Sequence, residues 1–187
     1  MGGLNLLSSS AARANPKLAP TLGGMLPPED SLTRHDRLMV EERPVRVATV
    51  GYEGATAEEL VTTVAAAGAT LLVDLRQTPL SRKAGLSKRK LADHLEREGV
   101  SYMHMPALGN PRDNREPYRV GCPEARERFL SILRSTTGRA ALDELWSLAA
   151  SQSVVLLCYE RDASSCHRDM VTKELARQEP SLSVLHL

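Results

Sequence analysis

From residue 45 onward, apolar residues fall into two alternating kinds of run. Short β-branched or aliphatic stretches at 45–50, 70–75, 100–105, 153–159 and 182–187 have the length and flanking turn residues of strands. Longer segments with apolar residues three and four apart lie between them. Thr56 and Glu59 make a Thr-x-x-Glu capping box that opens a helix to Ala67, with Leu60 and Val64 on one face and Gly68 closing it. Ser87 is placed to cap a helix to Glu98 that carries Leu91 and Leu95. Pro123 opens a helix bearing Phe129, Ile132 and Leu133; a second, over about 139–150, carries Leu142, Leu145, Trp146 and Ala149. A last helix follows the loop 160–167 and runs to Gln178. The stretch 106–123, rich in Gly and Pro, reads as a long irregular loop.

The order β-α-β-α-β-αα-β-α-β predicts a single α/β domain over 44–187, a mainly parallel sheet of about five strands with helices on both faces. Strands that are apolar runs, not alternating ones, are what burial on both faces requires. Residues 1–43 differ: Ser8-Ser9-Ser10, Pro16, Pro20 and Pro27-Pro28 break periodicity, and the segment reads as a flexible arm with at most a short helix near 30–41.

Composition narrows the classes. The chain has 187 residues, 42% hydrophobic and 25% charged, which is that of an ordinary globular protein. A net charge of +1 argues against a uniformly basic nucleic-acid coat while leaving room for a local patch. No apolar run reaches the roughly 18 residues of a membrane span, so no membrane association is expected. Three cysteines, Cys122, Cys158 and Cys166, suit reduced thiols and a cytoplasmic location better than a disulfide framework.

In an open parallel sheet, ligands bind beyond the carboxyl ends of the strands. Those ends carry Tyr52 and Glu53 after the first strand, and Arg76, Ser81 and Arg82 after the second. Asn110 follows the third, and Cys158, Arg161, Cys166, His167 and Arg168 belong to the fourth and its loop. Arg76, Arg82, Arg161 and Arg168 in neighbouring loops suggest an anion site, since guanidinium groups bind phosphate and carboxylate bidentately. Cys166, at a helix N-terminus beside His167 and Arg168, is placed for thiolate character and nucleophilic attack. Cys158 reads equally well as a small strand hydrophobe. Cys158, Cys166 and His167 are also a ligand set for zinc or iron, with His104 or Asp74 completing the shell, although Cys-x7-Cys-His is not a standard knuckle. Asp74 and Glu53 are acidic enough for proton transfer, but Asp74 reads first as the ion-pair partner of a rim arginine. Cys122, His35, His94 and His186 have no evident partner in the sequence.

Thr49-Val50-Gly51-Tyr52-Glu53-Gly54, Val73-Asp74-Leu75-Arg76 with Pro79 and Ser81-Arg82, Leu156-Leu157-Cys158-Tyr159-Glu160 and Cys166-His167-Arg168 together resemble the domain of unknown function 488 family. The resemblance covers about 45–187 and implies an α/β fold with its site at these motifs. Leu86 stands where the family tends to have an aromatic residue, and Asn110 where a second glycine is usual. A weaker similarity is to rhodanese-like domains, which pair Asp-x-Arg after one strand with a Cys-led loop entering a helix. Three function classes follow. The first is an enzyme acting on a phosphate-bearing nucleotide or nucleic-acid substrate, with Cys166, His167 and Cys158 catalytic and the arginines, Tyr52, Glu53, Ser81 and Asn110 binding. The others are a non-catalytic anion or nucleic-acid binding module and a thiol sulfur carrier.

Overall fold

The computed structural model describes residues 45–187. Five strands, β1 (Arg46–Gly51), β2 (Leu71–Asp74), β3 (Ser101–His104), β4 (Val154–Cys158) and β5 (Ser183–His186), form one sheet in the order β3-β2-β4-β1-β5. Every pairing is parallel, and Gly51 lies level with Cys158. The helices are α1 (Ala57–Ala66), α2 (Lys88–Arg97), α3 (Arg115–Arg119), α4 (Pro123–Arg134), α5 (Thr136–Ser151) and α6 (His167–Gln178).

Alternate residues of the central strands feed two cores. Val154 and Leu156 of β4, with Leu71 and Val73 of β2, pack under Phe129, Leu133, Leu142, Leu145, Val171 and Leu175 of α4, α5 and α6. Val155, Leu157 and Leu72 face the other way, onto Leu60, Val61 and Val64 of α1 and Leu91 and Leu95 of α2. Burial on both faces is why β2 and β4 contain no exposed residue. With aromatics scarce, the core relies on leucines such as Leu60, Leu72, Leu91 and Leu95, each at most 1% exposed, and each worth roughly 2 kcal/mol of burial.

The capping box forms in full, Thr56 Oγ1 accepting from Glu59 N–H while Glu59 Oε2 accepts from Thr56 N–H. Three expectations change. Ser87 precedes α2 but makes no side-chain cap; its hydroxyl is engaged with the backbone of Ser81 across the loop. The second of the paired helices starts at Thr136 because Ser135 caps it through Gly138 N–H. The stretch 106–123 is not irregular: it holds single 3₁₀ turns at Pro106–Leu108 and Arg112–Asn114 and then α3. The arm 1–43 and the helix near 30–41 lie outside the described residues.

The strands place the site. β1 and β4 are neighbours, yet the chain leaves β1 onto the face of α1 and leaves β4 toward α6 on the opposite face. Adjacent connections that depart to opposite faces open a crevice at the carboxyl end of the sheet. No helix among the described residues is long and apolar enough to cross a membrane.

Candidate functional site

Two close approaches shape this crevice. A Cβ on Gly51 would stand 1.8 Å from the Glu160 carbonyl oxygen, so the glycine lets the loop after β4 settle directly on the end of β1. A Cβ on Gly109 would stand 2.6 Å from Gln77 N and 2.7 Å from Leu75 O, so that glycine draws the 106–119 segment onto the end of β2. Between these loops lies a cavity of about 180 Å³, whose walls include Tyr52, Arg76, Asn110, Arg115, Tyr118, Cys158, Glu160 and His167. Leu80, 73% exposed, and Tyr159 stand at its mouth.

Arg76 is anchored through all three nitrogens of its guanidinium. Its Nε donates to both Asp74 oxygens at 2.9 and 3.1 Å, and Nη2 to Asp74 Oδ2 at 2.6 Å. Its Nη1 donates to the Tyr52 hydroxyl and the Leu86 carbonyl. A guanidinium has five N–H groups, so one on Nη2 remains without a protein partner among the described residues. Burial opposes the charge, but Asp74 holds the Arg76 pKa above its ordinary value. Tyr102 also donates to Asp74, and burial together with that carboxylate raises the Tyr102 phenol. Leu86 is fully buried and supplies the carbonyl that fixes Arg76. Asp74 is thus the arginine's partner. His104 is likewise engaged, Nε2 donating to the Arg76 carbonyl at 2.8 Å. Neither residue completes a metal shell around the cysteines.

Cys158, Glu160, Cys166 and His167 bring one sulfur, oxygen or ring nitrogen each to within 4.8 Å of one another. His167 Nδ1 is 3.4 Å from Cys158 Sγ and 3.9 Å from Cys166 Sγ, and Glu160 Oε2 is 3.5 Å from Cys158 Sγ. Phe129 of α4 clamps the His167 ring edge to face at 5.3 Å. Burial raises the Cys158 thiol, and the neighbouring Cys166 raises it further. Burial disfavours the Cys166 thiolate too, yet hydrogen bonds from Cys158 and His167, with the charges of His167 and Arg168, hold its pKa down at about 3. The pair therefore shares one negative charge, centred on Cys166 at the start of α6. Burial and the same charge push the Glu160 carboxyl up. Access runs opposite to the sequence expectation: Cys158 and His167 line the cavity, whereas Cys166 is 0% exposed and lies behind them.

The four rim arginines do not converge. Arg168 is wholly buried, donating to Thr49 Oγ1 and to the Glu160 and Arg161 carbonyls, where it ties the loop to β1. Arg161 is exposed and bonds the Glu53 carbonyl, while Glu53 Oε2 accepts from Arg161 N–H; both lie on the outer surface. Ser81 and Arg82 line a separate groove that also carries Lys83, Lys88, Arg89 and Lys90. Leu80 borders both this groove and the cavity. Arg82, Lys88, Arg89 and Lys90 are exposed, and none forms an ion pair with another described residue.

Two cavity residues have no signal in the sequence. Asn110 is buried and accepts from Asn114 Nδ2 through Oδ1 and from Arg115 Nε through its carbonyl. That fixes Arg115 at the cavity wall with no carboxylate partner among the described residues. Tyr118 is 1% exposed, and its hydroxyl is the one buried side-chain polar atom among the described residues without a hydrogen-bond partner. Burial pushes its pKa up to about 12. Both residues come from α3, in the segment that reads as loop. Cys122 bonds Glu124 outside the cluster, and His186 bonds Thr49.

No curated protein and no solved structure matches the chain. A family profile does, over residues 56–175, from the capping threonine of α1 to the buried Leu175 of α6. That span takes in Asp74, Arg76, Cys158, Cys166 and His167, and the family is described as a domain of unknown function. By this match the chain belongs to the DUF488 family.

Proposed function

We propose that this protein is an enzyme acting on the phosphate-bearing end of a nucleic-acid strand, with a free nucleotide as its smallest substrate. The observation that carries this reading is the continuity of the basic groove with the thiol-lined cavity across Leu80. A groove with four exposed, unpaired cations suits a run of phosphates. The cavity, at about 180 Å³, is below the roughly 300 Å³ of a typical ligand pocket, so it suits a terminal group and not an internal stretch of strand.

The cavity itself supports the choice of anion. Arg115 offers an unpaired guanidinium, Arg76 a remaining N–H, and Tyr118 an unpartnered hydroxyl. A buried hydroxyl without a partner costs about 1–3 kcal/mol, which a bound oxyanion would recover. Cys158, Glu160 and His167 stand at the reacting end of this pocket, with Cys166 behind them. Single-stranded oligonucleotides with a terminal phosphate at either end, compared with hydroxyl-ended ones by fluorescence anisotropy, test the reading. Wild type should favour one phosphorylated end by about tenfold, the value of one charge-assisted hydrogen bond set. Arg115→Gln and Tyr118→Phe should shrink that preference, and release of phosphate or nucleotide should accompany binding. Equal affinity for all ends, with no product released, would overturn it.

A further inference from the structure

We infer that Cys158, Cys166, His167 and Glu160 form a binding site for one zinc ion. The inference deepens the enzymatic reading, since the same cluster is its reacting end, but the two can fail separately. Zinc bonds sulfur at about 2.3 Å and imidazole nitrogen at about 2.0 Å, so a tetrahedral site separates S and N by about 3.5 Å. The spacings of 3.4 Å from His167 Nδ1 and 3.5 Å from Glu160 to the Cys158 sulfur are close to this, and the 3.9 Å from Nδ1 to the Cys166 sulfur and the 4.8 Å span of the whole cluster call for a contraction of about 1 Å or less around the ion.

The histidine ring is already oriented for a metal. Its Nε2 lies 3.4 Å from the Leu75 carbonyl, which can only accept. In the neutral ring that binds a metal, the proton sits on Nε2 toward this carbonyl and the Nδ1 lone pair faces the thiols. A metal-bound histidine is usually oriented this way, by a carbonyl on its other nitrogen. The Phe129 edge contact holds the ring in that plane.

Access and charge point the same way. Cys166 is shut off from the cavity, so it is badly placed to attack a substrate and well placed to hold an ion between itself and Cys158. Bound as thiolates and carboxylate, these donors need positive charge, and the guanidinium groups of Arg76 and Arg168 are committed elsewhere. Arg76 is matched by Asp74, and Arg168 is turned onto backbone carbonyls and Thr49. A dication at the cluster supplies the missing charge, and mixed thiolate, imidazole and carboxylate donors suit zinc. Glu160 lines the cavity together with Cys158 and His167, so zinc there could polarise an oxygen of the bound substrate if that oxygen took the place of the Glu160 carboxylate.

The full chain can be tested with the metal alone. Elemental analysis of protein purified without chelator should give about one zinc per chain, and Cys158→Ser, Cys166→Ser and His167→Ala should each bring it below about a tenth. Cobalt(II) titration of metal-free wild type avoids the question of whether those variants fold. It should give sulfur-to-cobalt charge-transfer bands in the near ultraviolet and the intense visible bands of a tetrahedral ion, saturating at one equivalent. Zinc should then block iodoacetamide at Cys158 while leaving Cys122 reactive. Folded wild type that binds no cobalt or zinc, with Cys158 alkylated equally in either case, would overturn the site. End-phosphate preference in the anisotropy assay reports on the other reading, and neither result decides the other.

Discussion

Asp74 and Arg76 show how one pair of charges can serve position more than binding. Both are nearly inaccessible, and the guanidinium is held by Asp74, Tyr52 and Leu86 at once. Two charges taken out of water gain little net stability from their attraction, but removing one strands the other. Asp74→Asn should therefore cost about 3 kcal/mol in urea unfolding, although the substitution is nearly isosteric. The double variant Asp74→Asn/Arg76→Met should be less destabilised than Asp74→Asn alone, because no buried charge is left unmatched. A double variant as unstable as the sum of both single ones would show that the two side chains act independently. Asp74 is also a residue that sequence reasoning reads correctly. A carboxylate two positions before an arginine at a strand end has an obvious partner.

At the level of elements, α4 and α6 are joined by Arg134, which donates to both oxygens of the buried Glu174 carboxylate, at 3.1 Å from Nε and 2.9 Å from Nη2. The hydrogen bond from Arg134 holds the Glu174 pKa below its ordinary value. A carboxyl lowered in the folded state adds stability above its unfolded value, roughly 4.3, and loses it as the pH falls through the lowered folded value. Arg134 is 46% exposed, so the contribution is held to about 1 kcal/mol. Glu174→Gln should thus lower the urea midpoint at pH 7 and converge with wild type toward pH 3. A constant gap at both pH values would place the effect in packing and not in charge. This pair crosses 40 positions of sequence, and nothing local announces it. The contrast with α1 is instructive: Thr56 and Glu59 carry their whole interaction within one turn, so their motif can be read directly. The fold class was readable for the same reason, because apolar runs and turn residues are local. Arg115 and Tyr118 were hidden because their placement depends on Gly109 and Asn110 pulling a distant segment onto β2. The expected cluster of four arginines failed because loop position says which edge a side chain belongs to, and not which way it turns. Arg168 turned inward to carbonyls, and Arg82 outward into the basic groove.

For the whole molecule, the net charge of +1 conceals an uneven distribution. Lys88, Arg89 and Lys90 occupy the first turn of α2, which has no acidic residue there, beside Arg82 and Lys83 of the same groove. Cations at a helix N-terminus oppose the positive end of its dipole, and each costs a few tenths of a kcal/mol up to about 1. None of the three is offset by an ion pair among the described residues, so local stability gives no reason for them to stand there. Replacing all three by alanine should raise the unfolding free energy, by about 1 kcal/mol in low salt, with the gain shrinking as salt screens the dipole. Single-stranded nucleic-acid binding should move the other way. Each phosphate contact contributes about 0.7 to the slope of log K against log salt for single strands, so three lost contacts reduce it by about 2. The preference for a phosphorylated end should survive at any salt concentration where binding is measurable, because Arg115 and Tyr118 are untouched. A triple variant that is less stable, or one that keeps the full salt slope, would mean that these cations support the fold or face solvent without a partner. A more stable protein that grips a strand less tightly would mean that α2 carries a thermodynamic cost in order to hold phosphates at the mouth of the cavity.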